Sequence, residues 1–172
     1  DYSQMLKDEL AISSEQMEDV DLKPIIESVV DDFNNIYIEK KNLNIKLNTS
    51  GSKKYLIKGI SNRLEQIIAN LLDNAVSFSN NGSSVLVDLN KDDSTISLKV
   101  IDQGDGFRET DIKKVFDRFY SNRPENFGEH SGLGLNIVKN LVDIHKGEIF
   151  ASNDPQGGAI VEIKFPKVIS KS

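Results

Sequence analysis

The segment from Ser61 to Ser77 limits the architecture more than any other. Leu64, Ile67, Ile68, Leu71, Leu72 and Ala75 recur at three- and four-residue spacing, which predicts a helix with one buried face. Ser61 stands where it can cap the first turn. Such a face needs a second layer to cover it, and the chain supplies one directly. After the break Asn80-Asn-Gly82, the residues Val85, Val87, Leu89 and then Ile96, Leu98, Val100 alternate with polar ones. They read as two strands joined by a hairpin turn at Lys91-Asp-Asp93.

The flanking regions extend this scheme. Asp1 to Gln16 is polar and acidic, with Met5, Leu6, Leu10 and Ile12 spaced as on a helix. It reads either as the end of a helix or as a loose leader. Pro24 suits a helix's first turn, and Ile25, Ile26, Val29, Val30, Phe33, Ile36 and Tyr37 then form an apolar stripe. Leu43, Ile45 and Leu47 predict a half-buried strand, joined by a turn near Ser50-Gly51 to a short strand around Tyr55 to Ile57. Leu133 to His145 reads as a further helix, stopped at Gly147. Two last strands flank the turn Asp154-Pro-Gln-Gly-Gly158. The expected fold class is α+β: a two-layer sandwich with a mixed, mostly antiparallel sheet on one side and three main helices on the other.

Composition removes several functions. The 172 residues suit one domain, and a net charge of -6 leaves no basic footprint for nucleic acid or an anionic membrane surface. With no cysteine there is no disulfide, thiolate metal site or cysteine nucleophile. No apolar run approaches the roughly 20 residues that span a bilayer, so no membrane contact is expected of this fragment. There is no Gly-Lys pair for a P-loop and no G-x-G-x-x-G after a strand. The two histidines, His130 and His145, are not at metal-ligand spacing, and His145 reads as a capping or surface residue at a helix end.

Four stretches carry the remaining chemistry. In Asn70-Leu-Leu-Asp-Asn74-Ala75 the two asparagines stand one helical turn apart on one face. They are either a solvated polar edge or hard oxygen ligands for Mg²⁺. Asp102-Gln-Gly104-Asp-Gly106 leaves a strand end; there a carboxylate can accept from the exocyclic amine of adenine, where guanine presents an oxygen. Without an EF-hand's spacing, the other reading is an acidic turn. Phe116-Asp-Arg-Phe119 follows. Ser131-Gly-Leu-Gly134-Leu135 enters the last helix, where free N–H groups form an anion site or simply a tight turn. The polar stretch from Arg118 to His130 is long for a connection and predicts a lid. Arg118 and Arg123 either lean over phosphates or lie on the surface.

In this order the four stretches resemble the N, G1, F and G2 boxes of the catalytic, ATP-binding domain of bacterial sensor histidine kinases. Those domains belong to the superfamily of Hsp90, DNA gyrase and MutL. The resemblance implies the Bergerat fold and binding of ATP with Mg²⁺. It implies that Asn70 and Asn74 hold the metal and phosphates and act in catalysis, and that Asp102 reads adenine. Gly104 and Gly106 would shape the base pocket, with Phe78 packing nearby. Gly132, Leu133, Gly134 and Leu135 would lie along the phosphates, with Arg118 and Arg123. Phe119 to Gly134, with Asn74 to Ser79, looks more narrowly like the ChvG-type kinases.

Three departures accompany the resemblance. Ser77 stands where many relatives have a basic residue, Ala159 where Thr or Ser is usual, and the phosphoacceptor histidine block is absent. The implied organisation is residues 1–18 as the tail of a dimerisation helix or linker, 19–167 as the catalytic domain and 168–172 as a tail. The implied partners are a histidine-bearing dimerisation domain of the same parent protein and the receiver domain of a response regulator. The implied location is cytoplasmic, with the parent anchored in the inner membrane. A water-activating glutamate, which the Hsp90 and MutL branch carries one turn before its asparagine, is replaced here by Asn70. Feeble ATPase activity and a non-catalytic nucleotide module are the alternative functions.

Overall fold

The computed structural model describes residues 17–52, 54–107, 114–116 and 133–169, with only the backbone given for Leu133. Strand β1 (Glu18–Asp21) runs into helix α1 (Leu22–Lys40). Asp21 caps that helix: its Oδ1 accepts from Lys23 N at 3.1 Å and also from Tyr55 N at 3.0 Å. Strands β2 (Asn44–Thr49) and β3 (Leu56–Gly59) follow, then helix α2 (Ser61–Phe78). Strands β4 (Ser84–Lys91) and β5 (Thr95–Ile101) form the predicted hairpin. Helix α3 (Leu133–Ile144) and strands β6 (Glu148–Asn153) and β7 (Ala159–Pro166) complete the domain.

Five strands form one sheet in the order β2-β4-β5-β7-β6, with β2 and β4 parallel and every other neighbour antiparallel. On β4, Val85, Val87 and Leu89 point into the core, as do Ile96, Leu98 and Val100 on β5. They pack with Leu64, Ile67, Ile68, Leu71 and Leu72 of α2 and with Val138, Leu141 and Val142 of α3. The α+β two-layer sandwich is therefore present, with three helices over a mixed sheet. Burial of this alternating set is the main force holding the layers together.

Several local expectations need correction. Strand β3 does not join the sheet that β2 enters; it pairs with β1 in a separate antiparallel ribbon, with Val20 opposite Ile57. The N-cap of α2 is Ile60, and Ser61 is already helical. Lys146, at φ +60°, takes the left-handed position after α3, one residue before the expected Gly147. The Gly147 N–H bonds back to Val142 O and that of Lys146 to Asp143 O, which closes the helix as a Schellman turn. Gly147 serves space instead, because a Cβ there would crowd Lys164 O and Val142.

His145 is not at the surface. It is 4% exposed, with Nδ1 donating to Leu141 O at 2.7 Å and Nε2 accepting from Ile60 N at 3.2 Å. Those partners require a neutral ring. It ties the last turn of α3 to the start of α2. The readings of Asp1 to Gln16 and of the lid from Arg118 to His130 lie outside the described residues.

Candidate functional site

Helix α2 brings Asn70 and Asn74 onto one flank, beside the apolar face that covers the sheet. Both are half-buried, and neither side-chain amide has a hydrogen-bond partner among the described residues. Asparagine is costly inside a helix because it competes for backbone groups, so two unspoken-for amides one turn apart form a usable pair of oxygen donors. Ser77, one turn further along that flank, turns its hydroxyl back to Asp73 O at 2.7 Å.

The end of α2 meets the loop that leaves β5. Asp102 is 3% exposed, and its Oδ1 accepts from Gly104 N at 3.0 Å and from Ala159 N at 3.1 Å. Two backbone donors on one oxygen fix the plane of the carboxylate. The approach of the chains is possible only without side chains. A Cβ on Gly104 would overlap the Phe78 carbonyl, and one on Gly158, at φ +98°, would overlap that of Asp102. Phe78, Gly104 and Asp102 are thus in one place.

Gly134 lies in the first turn of α3, where helical N–H groups have no partner within the helix. A Cβ there would meet nothing within 4 Å among the described residues. Leu135 is buried, and Asn136 Nδ2 donates to Phe116 O at 3.0 Å, which links α3 to the short described piece 114–116. Arg118, Arg123, Gly132 and the Leu133 side chain lie outside the described residues. A cleft of about 420 Å³ runs along the Asp102 loop, lined by Asp102, Gln103 and Gly104 together with Ser84, Ile101 and Asp154; neither asparagine lines it.

Two side chains that hold backbone groups beside the candidate site escaped the sequence. Asn153 holds both backbone groups of Phe107, with its Oδ1 accepting from the N–H at 2.7 Å and its Nδ2 donating to the carbonyl at 2.8 Å. The available signal was a polar residue at the third inward position of β6, after Ile149 and Ala151. Lys41, in the basic pair Lys40-Lys41 that carries no motif, donates its Nζ to Val76 O at 2.9 Å and Ser79 O at 3.2 Å. It therefore closes the C-terminal end of α2.

A helix edged with paired amides, a buried strand-end acid and a glycine-rich helix entry, all on an α/β sandwich, define an ATP-binding domain. The chain belongs to the family described as Histidine kinase-, DNA gyrase B-, and HSP90-like ATPase, whose model matches residues 59–169, and its relatives are sensor histidine kinases. It is 34% identical to the sensor protein ChvG of Agrobacterium fabrum over 141 residues, 78% of this chain and 24% of that protein. The solved structure of the mycobacterial sensor histidine kinase MprB is similar at a TM-score of 0.75 and 28% identity, covering 90% of this chain and all of that one. The fold also matches histidine kinase ThkA in complex with response regulator protein TrrA, at a TM-score of 0.74 and 19% identity, over 97% of this chain and 48% of that one. The chain spans between 12% and 31% of the first curated relatives. No helix among the described residues is long and apolar enough to cross a membrane.

Proposed function

We propose that this domain binds ATP with Mg²⁺ and presents the γ-phosphoryl group to a histidine on a separate helical dimerisation domain of the same parent protein. The single observation that carries the reading is the pair Asn70 and Asn74, half-buried and unpartnered among the described residues, on the helix whose end packs against the Asp102 loop. Amide oxygens are suited to Mg²⁺, which prefers hard oxygen ligands and shares them with phosphates. When bound, the metal supplies neutralisation of phosphate charge. Asp102, its plane held by Gly104 and Ala159, accepts from the adenine amine. Gly134 leaves room for phosphate at the start of α3; by the resemblance, Gly132, Leu133, Leu135, Arg118 and Arg123 would serve the phosphates with it. The transfer breaks the bond between the γ-phosphorus and its bridging oxygen and forms a phosphorus–nitrogen bond on the acceptor. ADP leaves, and the imidazole proton passes to solvent. Such a reaction needs positioning and charge neutralisation more than a strong base, and Asn70 in place of a glutamate suits transfer better than hydrolysis.

The receiver domain of a response regulator then takes the phosphoryl group, a partner supported by the ThkA complex. Residues 1–18 are proposed as the end of the dimerisation helix or linker, 19–167 as the catalytic domain and 168–172 as a tail. The domain is placed in the cytoplasm, with the parent anchored in the inner membrane. The narrower kinship is with ChvG-type kinases, supported by the stretch Phe119 to Gly134. Asn74→Ala removes a metal ligand without core volume, so it should abolish Mg²⁺-dependent ATP binding in a calorimetric titration and leave the fold intact. Unchanged affinity would refute the metal site. Asp102→Ala removes a charged hydrogen bond worth about 1.5–3 kcal/mol. ATP should weaken at least tenfold and lose its advantage over GTP; equal binding of both by the unaltered protein would refute the base pocket.

A further inference from the structure

We propose that Asn153 is the positioning residue of the adenine pocket: from the end of β6 it holds the far end of the Asp102–Phe107 loop in place. The inference rests on reading that loop as the base pocket. Its starting point is a register. Asn153 lies directly opposite Ala159 in the β6–β7 pair, and these two neighbours grip opposite ends of one loop. Ala159 takes the near end, donating its N–H to Asp102 Oδ1 at 3.1 Å and accepting from Asp102 N at 3.0 Å. Asn153 takes the far end through the two bonds to Phe107 at 2.7 and 2.8 Å.

The amide orientation follows from its partners, since a backbone N–H only donates and a carbonyl only accepts. A side-chain carboxamide has the same donor and acceptor pair as a peptide group, so Asn153 extends the sheet by one residue without a strand. The Phe107 ring, 4% exposed, anchors the same residue in the core. Between the two grips the chain turns at Gly106, φ +81°, where a Cβ would press on Asn153 Oδ1. The Asn153 grip therefore requires glycine at 106. A loop pinned at both ends presents Asp102 and the Gly104 backbone without an ordering cost when base arrives. Pinned at one end, it does not.

The test uses Asn153→Ala and Asn153→Asp in the full chain. Aspartate keeps the shape and the acceptor but sets an oxygen against Phe107 O. Three quantities are measured: amide hydrogen exchange at Phe107 without nucleotide, calorimetric affinity for ATP and GTP, and the Mg²⁺ dependence of ATP binding. The Phe107 amide should be protected in the unaltered protein and exchange at least tenfold faster in Asn153→Ala. In both variants ATP should weaken, by about tenfold for alanine, the worth of one or two neutral hydrogen bonds. The ATP-over-GTP preference should narrow while the Mg²⁺ dependence stays. Should Asn153→Ala fail to fold, the isosteric Asn153→Asp carries the comparison. An unchanged preference in folded variants overturns the proposal, as does a Phe107 amide that is unprotected to begin with. If the unaltered protein binds no ATP, the proposed function falls, and exchange at Phe107 alone decides whether the grip exists.

Discussion

The two ends of α2 are held by opposite kinds of bond. At its start, Ile60 N donates to the neutral ring of His145, buried against Phe165 with ring centroids 6.3 Å apart. At its finish, the ammonium of Lys41, the C-cap residue that follows α1, donates to Val76 O and Ser79 O at a half-buried site. The first end joins α2 to α3 deep in the domain. The second lies beside Phe78 and the Gly104 contact, where the nucleotide is proposed to sit. An uncharged buried anchor is insensitive to salt but costly to lose. A charged clamp on a helix terminus is adjustable and screened. The fixed end and the site end therefore need not respond alike to the same perturbation.

Replacing the anchor should have the largest effect. His145→Ala removes a buried ring and leaves the Ile60 N–H unsatisfied, a loss of about 3 kcal/mol from cavity and hydrogen-bond contributions. Urea unfolding would read it, and ATP affinity of the folded fraction should stay within about twofold. A large loss of affinity with little loss of stability would reverse the assignment of the two ends. Lys41→Met keeps the stem and removes the charge. It should cost about 1–2 kcal/mol, less in high salt, and should weaken ATP several-fold because the α2 end beside Phe78 loosens. A Lys41→Met protein with unaltered nucleotide binding would separate the clamp from the site.

What the sequence reveals follows the same division. The face of α2 and the β4–β5 hairpin were readable because burial imposes periods of 3.6 and 2 on neighbouring residues. Asn70 and Asn74 were readable because asparagine is unfavourable inside a helix, and two of them one turn apart stand on one flank. The β1–β3 ribbon was not, because each strand has only four residues and their pairing spans the whole of α1 and β2. Neither was His145: a histidine at a helix end has the same local sequence whether it faces water or, as here, the N–H of Ile60. Lys41 and Asn153 failed for a related reason, since each satisfies backbone groups far along the chain. The carboxylate of Asp102 could be picked out from its glycines, but the donor that orients it, Ala159 N, is a backbone atom with no residue signature.

The smallest expected effect is the most direct check on the anchor. Burial lowers the pKa of His145, opposed only in part by its bond to the Leu141 carbonyl. In the unfolded chain the same ring titrates near the ordinary value of about 6.5. Below that value the unfolded state therefore binds a proton that the folded state refuses, and stability falls as pH falls until the folded ring protonates as well. Protonation would put an N–H on Nε2 facing the Ile60 N–H, so the bond that starts α2 would become a repulsion. Between pH 6.5 and 5.5 stability should fall, by no more than about 1.4 kcal/mol per unit, before most carboxylates begin to titrate. His145→Gln can keep an acceptor for Ile60 N but has no proton to gain. Its stability should be nearly flat over that interval when midpoints of urea unfolding are compared at each pH. An equal slope in both proteins would mean that the acid sensitivity comes from elsewhere and that the ring is not a neutral acceptor.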